Sequence, residues 1–562
     1  MGILKFKKVN CKNCYKCIRY CPVKAIEVKN QQAQIIENDC ILCGNCIIVC
    51  PQNAKEDVNE IDDIKGQIAE GKRVIATVAP SFVAACKVES FKTLEKALKE
   101  LGFAEARETA EGAFLVKSQY ENLVKDRWNE AIVSTCCPTV VKYVERHFPE
   151  ALPYLAPVIS PMEASSRKIR EEYKDAVIVF IGPCISKKGE CEAETSATDY
   201  AITFDELAQW MEERNIKFTE DDQKENIKYK SRLFPIAGGI INTMSRDDDY
   251  DYIAIDGFDN CVKALKEIVN GNVHNCFIEM SACSGSCIGG PNFQKHDMSV
   301  INSRIKVENF ALDKEENDFQ IEKDIDMYDK KRDRQVVCPP PTEQQILGIL
   351  RKMGKNSRED ELNCGTCGYA TCREKAAAVY WGKADITMCL PFIKERAESF
   401  SDKIINITPN LVVAVDMDLK VQQINRAACD TFGIENEKDI IGSPVSRILD
   451  EFDFVNMITE SKASLKKRTF LVEYNVYLEQ VFLFDKSNSI IICIMKNITG
   501  EKKRKNKIKA EKLRAANLAD DIVEKQLRIV QEIASLLGET AAETQVAVTD
   551  LKDTILMEDE DN

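Results

Sequence analysis

Histidine is scarce in this chain: three in 562 residues, His147, His274 and His296. A zinc or non-haem iron enzyme built on imidazole is therefore disfavoured. Positive charge is in deficit too. Lys plus Arg number 77 against 91 Asp plus Glu, a formal net charge of -14, which is the opposite of the basic surface that nucleic acid calls for. No run of 18 apolar residues occurs, so no membrane span is expected. The opening MGILKFKKVNCKNC has no apolar signal segment, no twin arginine and no myristoylation Ser or Thr. A cytoplasmic protein is expected, long enough for about three to five domains.

Cysteine, by contrast, is abundant, with 24 in the chain. In a reducing cytosol such thiols read as metal ligands rather than disulfides. Cys11, Cys14, Cys17 and Cys21-Pro22 form C-x2-C-x2-C-x3-C-P, and Cys40, Cys43, Cys46 and Cys50-Pro51 repeat it 29 residues later. This is the bacterial two-cluster ferredoxin pattern, in which the fourth cysteine of each run serves the other cluster. It predicts one 4Fe–4S cluster on Cys11, Cys14, Cys17 and Cys50, and a second on Cys40, Cys43, Cys46 and Cys21. Zinc sites seldom string four cysteines so closely in tandem.

After the acidic link KEDVNEIDDIKGQ, strand-like runs KRVIATVAP, AIVSTCCP, DAVIVFIGPC and HNCFIEMSACSG alternate with helical patterns such as FKTLEKALKEL and FDELAQWMEERN. That alternation predicts a mixed α/β domain with a largely parallel sheet. Cys137, Cys184, Cys283 and Cys287 fall just past the strands' carboxyl ends, where open α/β sheets place their sites.

ENDFQIEKDIDMYDKKRDRQ followed by Cys338-Pro339-Pro340-Pro341 reads as a linker, and TEQQILGILRKMGK as an amphipathic helix. Cys364, Cys367, Cys372 and Cys389 then give C-x2-C-x4-C-x16-C, a poor fit to the paired knuckles of a zinc ribbon. This group resembles the small iron–sulfur domain of electron-transfer and corrinoid proteins. Segment 407–500, with VVAVDMDLKVQQINRAACDTFG and the exit KNITGEKK, resembles a PAS domain. It has no internal histidine to ligate haem. In the tail Ile508, Ala515, Ile522, Ile529 and Leu536 recur every seven residues, with poor d positions at Lys525 and Glu532. That supports a helix with a packing face and a coiled-coil pair, hence a homodimer. Cys86, Cys191, Cys261, Cys276, Cys338, Cys429 and Cys493 are expected to be inert core cysteines.

Three motifs belong together: Ser134-Thr135-Cys136-Cys137-Pro138, then Gly182-Pro183-Cys184 with Lys187 and Glu190, then Glu279, Cys283, Cys287, Gly289 and Gly290. With VAPS at 78–81 they resemble the signature motifs of the FeFe hydrogenases over roughly residues 72–310. The resemblance implies an H-cluster, a 4Fe–4S cubane joined through one cysteine to a diiron unit with CO, cyanide and a bridging azadithiolate. Cys137, Cys184, Cys283 and Cys287 would hold the cubane, and Cys287 would bridge to the diiron unit. Lys187 would hydrogen-bond one cyanide, Pro80 and Ser81 would contact the other, and Cys136 would be the proton-relay thiol.

This sequence departs from the family pattern where Gly182 and Ser281 stand in place of methionines, so a roomier, more polar pocket is expected. No glutamate pair aligns in EGAFLVKSQYENLV, although Glu111 and Glu121 lie nearby, so slow turnover is expected.

The overall expectation is a multidomain α/β and α+β chain. It comprises a two-cluster ferredoxin module (1–58), an H-cluster domain (72–312), a small 4Fe–4S domain (340–395), a PAS domain (402–500) and a C-terminal helix (501–557). Three 4Fe–4S clusters lie outside the H-cluster. The resemblance implies a hydrogen or redox sensor of the PAS-containing branch, partnered by a ferredoxin-type carrier, a downstream kinase or phosphatase, and diiron-site maturation proteins. A ferredoxin-linked catalytic hydrogenase and a hydrogenase-like iron–sulfur protein without the diiron unit are the alternatives. Lys187, Pro80-Ser81 and Cys136 argue against the last.

Overall fold

The residues flanking the two cysteine runs have just enough apolar alternation for short antiparallel pairs. Leu4–Phe6 pairs with Lys55–Asp57, and Ile26–Lys29 pairs with Gln32–Ile35. Each run carries a short helix, Lys16–Tyr20 or Asn45–Ile48. The computed structural model describes all residues except 1, 7–9, 30–31, 219–226, 313–316, 322–324, 460–463 and 559–562. They divide into two units, 1–393 and 394–562, each treated by itself.

The acidic stretch after the cysteine repeat is an ordered helix, Ile61–Ala69, that buries Ile61 and Ile64 in the core of the central domain. That domain contains two parallel sheets. One has the order Glu105–Glu108, Val74–Val78, Val177–Gly182, Tyr200–Thr203. The other has the order Asp251–Asp256, Cys276–Ser281, Ala131–Val133. Val74–Val78 is buried at every position, as a central parallel strand covered on both faces must be. Helix Phe91–Leu101 illustrates how its cover is built. Ser90 Oγ accepts from Lys92 N at 3.2 Å, Gly102 closes the helix at φ 110°, and six residues of one face are buried. Glu108, at the end of its strand, takes Arg232 by two contacts of 2.8 and 2.5 Å, both side chains being buried.

The charged segment read as a linker is in part a strap on this domain. Ile325 and Met327 are buried in its core, Met327 O accepts from Ile159 N at 3.0 Å, and Glu145 O accepts from Arg334 N at 2.8 Å. Alternate apolar residues among charges supply one buried edge, enough to anchor an extended segment. Residues 316 and 322–324 of that stretch lie outside the described residues. Cys338 is exposed, contrary to the core role expected of it, because its triple-proline context cannot join a sheet. Beyond it, Thr342 and Gln345 form a capping box on helix Glu343–Lys352, and Thr371 caps Cys372–Tyr380.

In the second unit five antiparallel strands run in the order Val421–Ile424, Leu411–Val415, Ile490–Asn497, Val476–Asp485, Ser464–Leu471. Helices Arg426–Phe432 and Phe452–Thr459 supply Cys429, Phe432, Phe454 and Met457 to the same core, and Cys493 is buried there too. Helix Thr499–Glu558 follows, and residues 500–552 are all exposed, Ile508, Ile522, Ile529 and Leu536 included. Among the described residues no helix is long and apolar enough to cross a membrane.

Candidate metal centres

In the central domain the four expected ligands leave the sheets at their carboxyl ends. Cys137 caps helix Pro138–His147, with Pro138 at its first position, and Cys184 caps Ile185–Cys191. A helix N-terminus favours a thiolate. Cys283 and Cys287 sit around the turn Ser286–Gly289, entered by Gly285 at φ 81°. The loop folds so tightly that a Cβ on Gly289 would lie 1.8 Å from Ser284 O. The four thiols are near neighbours. Burial pushes Cys184 up to about 11, with Cys137 adding to the shift. Burial also raises Cys287, reinforced by Cys184 and Cys137, and raises Cys283, reinforced by Cys137, Cys184 and Cys287. By accessible surface Cys137, Cys184 and Cys283 are half-buried and Cys287 is exposed. Such a soft, four-sulfur donor set fits an iron–sulfur cluster.

Lys187 is 8% exposed and lies beside this set. Burial pulls its ammonium down, but Glu190 at 2.7 Å, with Cys184 and Cys136, more than offsets that and leaves it raised. Glu190 would be raised by burial, yet Lys187 and the Ser160 hydroxyl hold it below the usual carboxylate range. The Ser81 hydroxyl, on the loop after Val74–Val78 next to buried Pro80, is fully buried with no hydrogen-bond partner among the described residues. Ser81 and Cys184 each follow by two residues Ala79 and Gly182, neighbours where two adjacent strands end, and a buried ammonium and an unpaired buried hydroxyl suit anionic ligands.

Cys136 is engaged by a residue the sequence did not single out. Tyr120 Oη lies 3.3 Å from its Sγ, and the Tyr120 side chain is fully buried. Burial pushes Cys136 up to about 12, against Tyr120 and Lys187, which favour the thiolate, so the group is a thiol at neutral pH. The network continues to Thr135 Oγ1 at 3.2 Å, which donates to Val158 O at 2.8 Å. The two nearby glutamates are occupied elsewhere. Glu111 pairs with Lys168, and Glu121 accepts from Ser245 N at 2.6 Å.

The room expected at Gly182 is already taken. A Cβ there would stand 2.5 Å from Phe180 Cζ and 3.3 Å from Ala79 Cβ, because residues i and i+2 share a strand face. Ser281 supplies polarity but spends its hydroxyl on Ser286 Oγ at 2.9 Å.

In the N-terminal module Cys21, Cys40, Cys43 and Cys46 line one enclosed cavity. Burial pushes Cys46 up to about 12, with Lys55 opposing and Cys40, Cys21 and Cys17 adding. The repeat extends to backbone donors: Ala25 N donates to Cys21 Sγ at 3.3 Å and Ala54 N to Cys50 Sγ at 3.4 Å. Cys50 thus stands in the second half where Cys21 stands in the first, while Cys11, Cys14 and Cys17 lead into and enter the first helix. Cys364, Cys367, Cys372 and Cys389 line a second cavity together with Lys355, Tyr369 and Lys375. Lys375 is 1% exposed, and burial pulls it down to about 8 against Cys367, Asp385 and Cys389. Among the described residues no three metal-ligating side chains converge closely enough to hold a single ion. In these two cavities the thiols ring a space instead, as ligands of a several-atom cluster do.

Residues 72–291 match the family model described as iron only hydrogenase large subunit, C-terminal domain. The central domain belongs to that family. Residues 3–68 match a 4Fe-4S dicluster domain, 360–391 a putative Fe-S cluster family and 400–468 a PAS domain. The chain is similar to the NADP-reducing hydrogenase subunit HndD of Solidesulfovibrio fructosivorans, 24% identical over 49% of this chain and 60% of that one. It is also similar to iron hydrogenase 1 of Clostridium pasteurianum, 24% identical over 49% of this chain and 68% of that one. A solved FeFe-hydrogenase HydA1 from Chlamydomonas reinhardtii, a single-residue variant, overlaps 50% of this chain and all of its own, at 16% identity and TM-score 0.38.

Within the hydrogenase domain, sequence motifs located the thiols, Lys187 and Ser81 but missed Tyr120 and Phe180. Their own sequence spacing gave one usable signal: Tyr120 falls on the buried face of Ala110–Lys125, with Gly112, Val116 and Val124.

Proposed function

We propose that the chain reacts with hydrogen at an H-cluster and reports hydrogen or redox state through iron–sulfur clusters to its PAS domain. In this reading Cys137, Cys184, Cys283 and Cys287 hold the cubane, and Cys287 also holds the diiron unit. One ferredoxin-type 4Fe–4S cluster takes Cys11, Cys14, Cys17 and Cys50, and another takes Cys40, Cys43, Cys46 and Cys21. A further cluster takes Cys364, Cys367, Cys372 and Cys389.

The observation that carries the reading is Lys187, a buried ammonium fixed by Glu190 beside Cys184, Cys287 and Cys136. An ammonium can offset a cubane's charge too, but this one is joined by the buried, unpaired Ser81 hydroxyl, and two such donors suit anionic cyanide ligands. When bound, the diiron unit supplies the interconversion of hydrogen with two protons and two electrons. The residues of this chain do the rest. Lys187 and Ser81 orient the ligands, Phe180 excludes water, and Cys136 holds the proton nearest the site.

A sensory role is favoured by the hydrogen-bonded path from Cys136. It ends on a backbone carbonyl, Val158 O, which cannot take a proton onward. Slow turnover suits a reporter better than bulk flux. Its partners would be a ferredoxin-type carrier, the proteins that deliver the diiron unit, and a kinase or phosphatase downstream. The exposed stripe on Thr499–Glu558 would seat a second copy of the chain.

Infrared spectroscopy of anaerobically matured protein, under argon and then hydrogen, tests the proposal. CO and cyanide bands that shift with hydrogen are expected. Fast turnover alongside them would favour a ferredoxin-linked catalyst, and no such bands would leave an iron–sulfur protein without the diiron unit.

A further inference from the structure

The 29-residue repeat makes the ferredoxin module two-sided, and its equivalent faces meet different neighbours. On the second half, a Cβ at Gly44 would lie 2.6 Å from Pro291 Cγ and 3.2 Å from Ile185 Cδ1. Those residues follow Gly290 and Cys184, and Cys43 is near enough to Cys283 to raise its thiol. This face adjoins the hydrogenase domain.

The position equivalent to Gly44 in the first half is Tyr15, also left-handed at φ 56°. Burial raises its phenol, and Asp385, Cys11 and Cys367 raise it further. Two of those three belong to the small 360–391 module. Gly368, at φ 92°, packs so closely that a Cβ would lie 3.0 Å from Ile18 Cβ and 3.2 Å from Arg19 N. Lys24 Nζ donates to Ile18 O at 3.0 Å, Arg19 O at 3.1 Å and Gly368 O at 3.1 Å, tying the end of the first helix to the small module. Val28 N donates to Lys383 O at 3.3 Å, and Lys383 pairs with Asp39. One apolar core contains Cys17, Ile18 and Cys21 together with Cys367, Tyr369 and Met388. Tyr369 is 4% exposed, and its ring centre lies 6.0 and 5.6 Å from the ammoniums of Lys24 and Lys375.

A module merely tethered in passing would need neither a shared core nor a lysine satisfied across the seam. We propose that the 360–391 module is an internal redox partner docked on the first half of the ferredoxin module. Its cluster exchanges electrons with the cluster of Cys11, Cys14, Cys17 and Cys50 across Tyr15, Ile18 and Tyr369. In each transfer one cluster loses one electron and the other gains it, with no further reactant. The ferredoxin module is then a through-connector, with the hydrogenase domain on one face and the small module on the other. The inference rests on the iron–sulfur assignments above and not on any reaction with hydrogen.

Electron paramagnetic resonance of the reduced, iron–sulfur-reconstituted full chain tests it. Dithionite serves as reductant, so no diiron unit is needed. The expected result is magnetic coupling beyond that between the two ferredoxin clusters themselves, an extra coupling that disappears in Cys389→Ser with loss of one cluster's iron. In Gly368→Val the coupling should weaken at full iron content, because the added side chain meets Ile18. Lys24→Met provides a milder second variant with the same expected direction. A wild-type spectrum equal to that of the coupled ferredoxin pair plus an isolated third cluster would overturn the proposal, as would a Cys389→Ser protein with unchanged iron and spectrum. Infrared bands that answer to hydrogen in a chain with no such coupling would refute the docking while leaving the hydrogen reading intact.

Discussion

Tyr120 Oη accepts the Thr135 N–H at 2.9 Å and lies 3.3 Å from Cys136 Sγ, so one buried phenol serves both the backbone and the thiol of this motif. Tyr120→Phe leaves the Thr135 N–H without that acceptor. A cost of about 1–3 kcal/mol in unfolding free energy is expected from an unsatisfied buried donor, measurable by denaturant titration of the apoprotein. In the matured protein the same variant should alter hydrogen uptake with a viologen dye by roughly tenfold or less, the worth of about one hydrogen bond. Cys136→Ala should cost far more than that.

Lys187 and Glu190 are a buried pair, so removing one leaves the other uncompensated. Lys187→Met is expected to destabilise the chain by about 3–5 kcal/mol. The double variant Lys187→Met, Glu190→Gln should recover much of that stability. It should not recover cyanide bands in the infrared, if Lys187 holds a ligand. Recovery of both would reduce Lys187 to a structural role.

Glu279 accepts N–H groups from Gly238, Ile240 and Ile241 at 3.0, 2.9 and 3.1 Å, yet burial still pushes it up to about 7. The folded state therefore binds this proton more tightly than the unfolded chain does. Its contribution is fully present below about pH 4.5 and is lost as pH rises through about 7. Stability should fall by roughly 3 kcal/mol across that window from this group alone. Glu279→Gln should flatten that part of the apoprotein's stability profile, measured by chemical denaturation at a series of pH values.

Lys375 lines the same cavity as Cys364, Cys367, Cys372 and Cys389. Reduction adds negative charge to a cluster, so a buried ammonium beside it favours the reduced form. Lys375→Met should move that cluster's midpoint to a more negative potential and leave the ferredoxin clusters in place. Potentiometric titration followed by paramagnetic resonance would read the shift.

The sequence by itself determined where the thiols and the signature side chains fall. Cysteine spacing fixes which sulfurs fall on which turn, because a ligand run such as that at Cys40–Cys46 leaves the backbone few alternatives. Apolar runs such as Val74–Val78 announce buried parallel strands, and the hydrogenase motifs carry Lys187 and Ser81 with them. All of these are local patterns. Only the tertiary structure decided what fills the spaces between them. Phe180 takes the room left by Gly182, Tyr120 takes the place beside Cys136 that the nearby glutamates do not, and Ile325 and Met327 turn a charged linker into a strap. It also decided that Gly44 and Tyr15, equivalent in the repeat, face two different domains. Such contacts join residues far apart in the chain, and their energy comes from close packing and satisfied buried polar groups. No periodicity or spacing along the sequence records that.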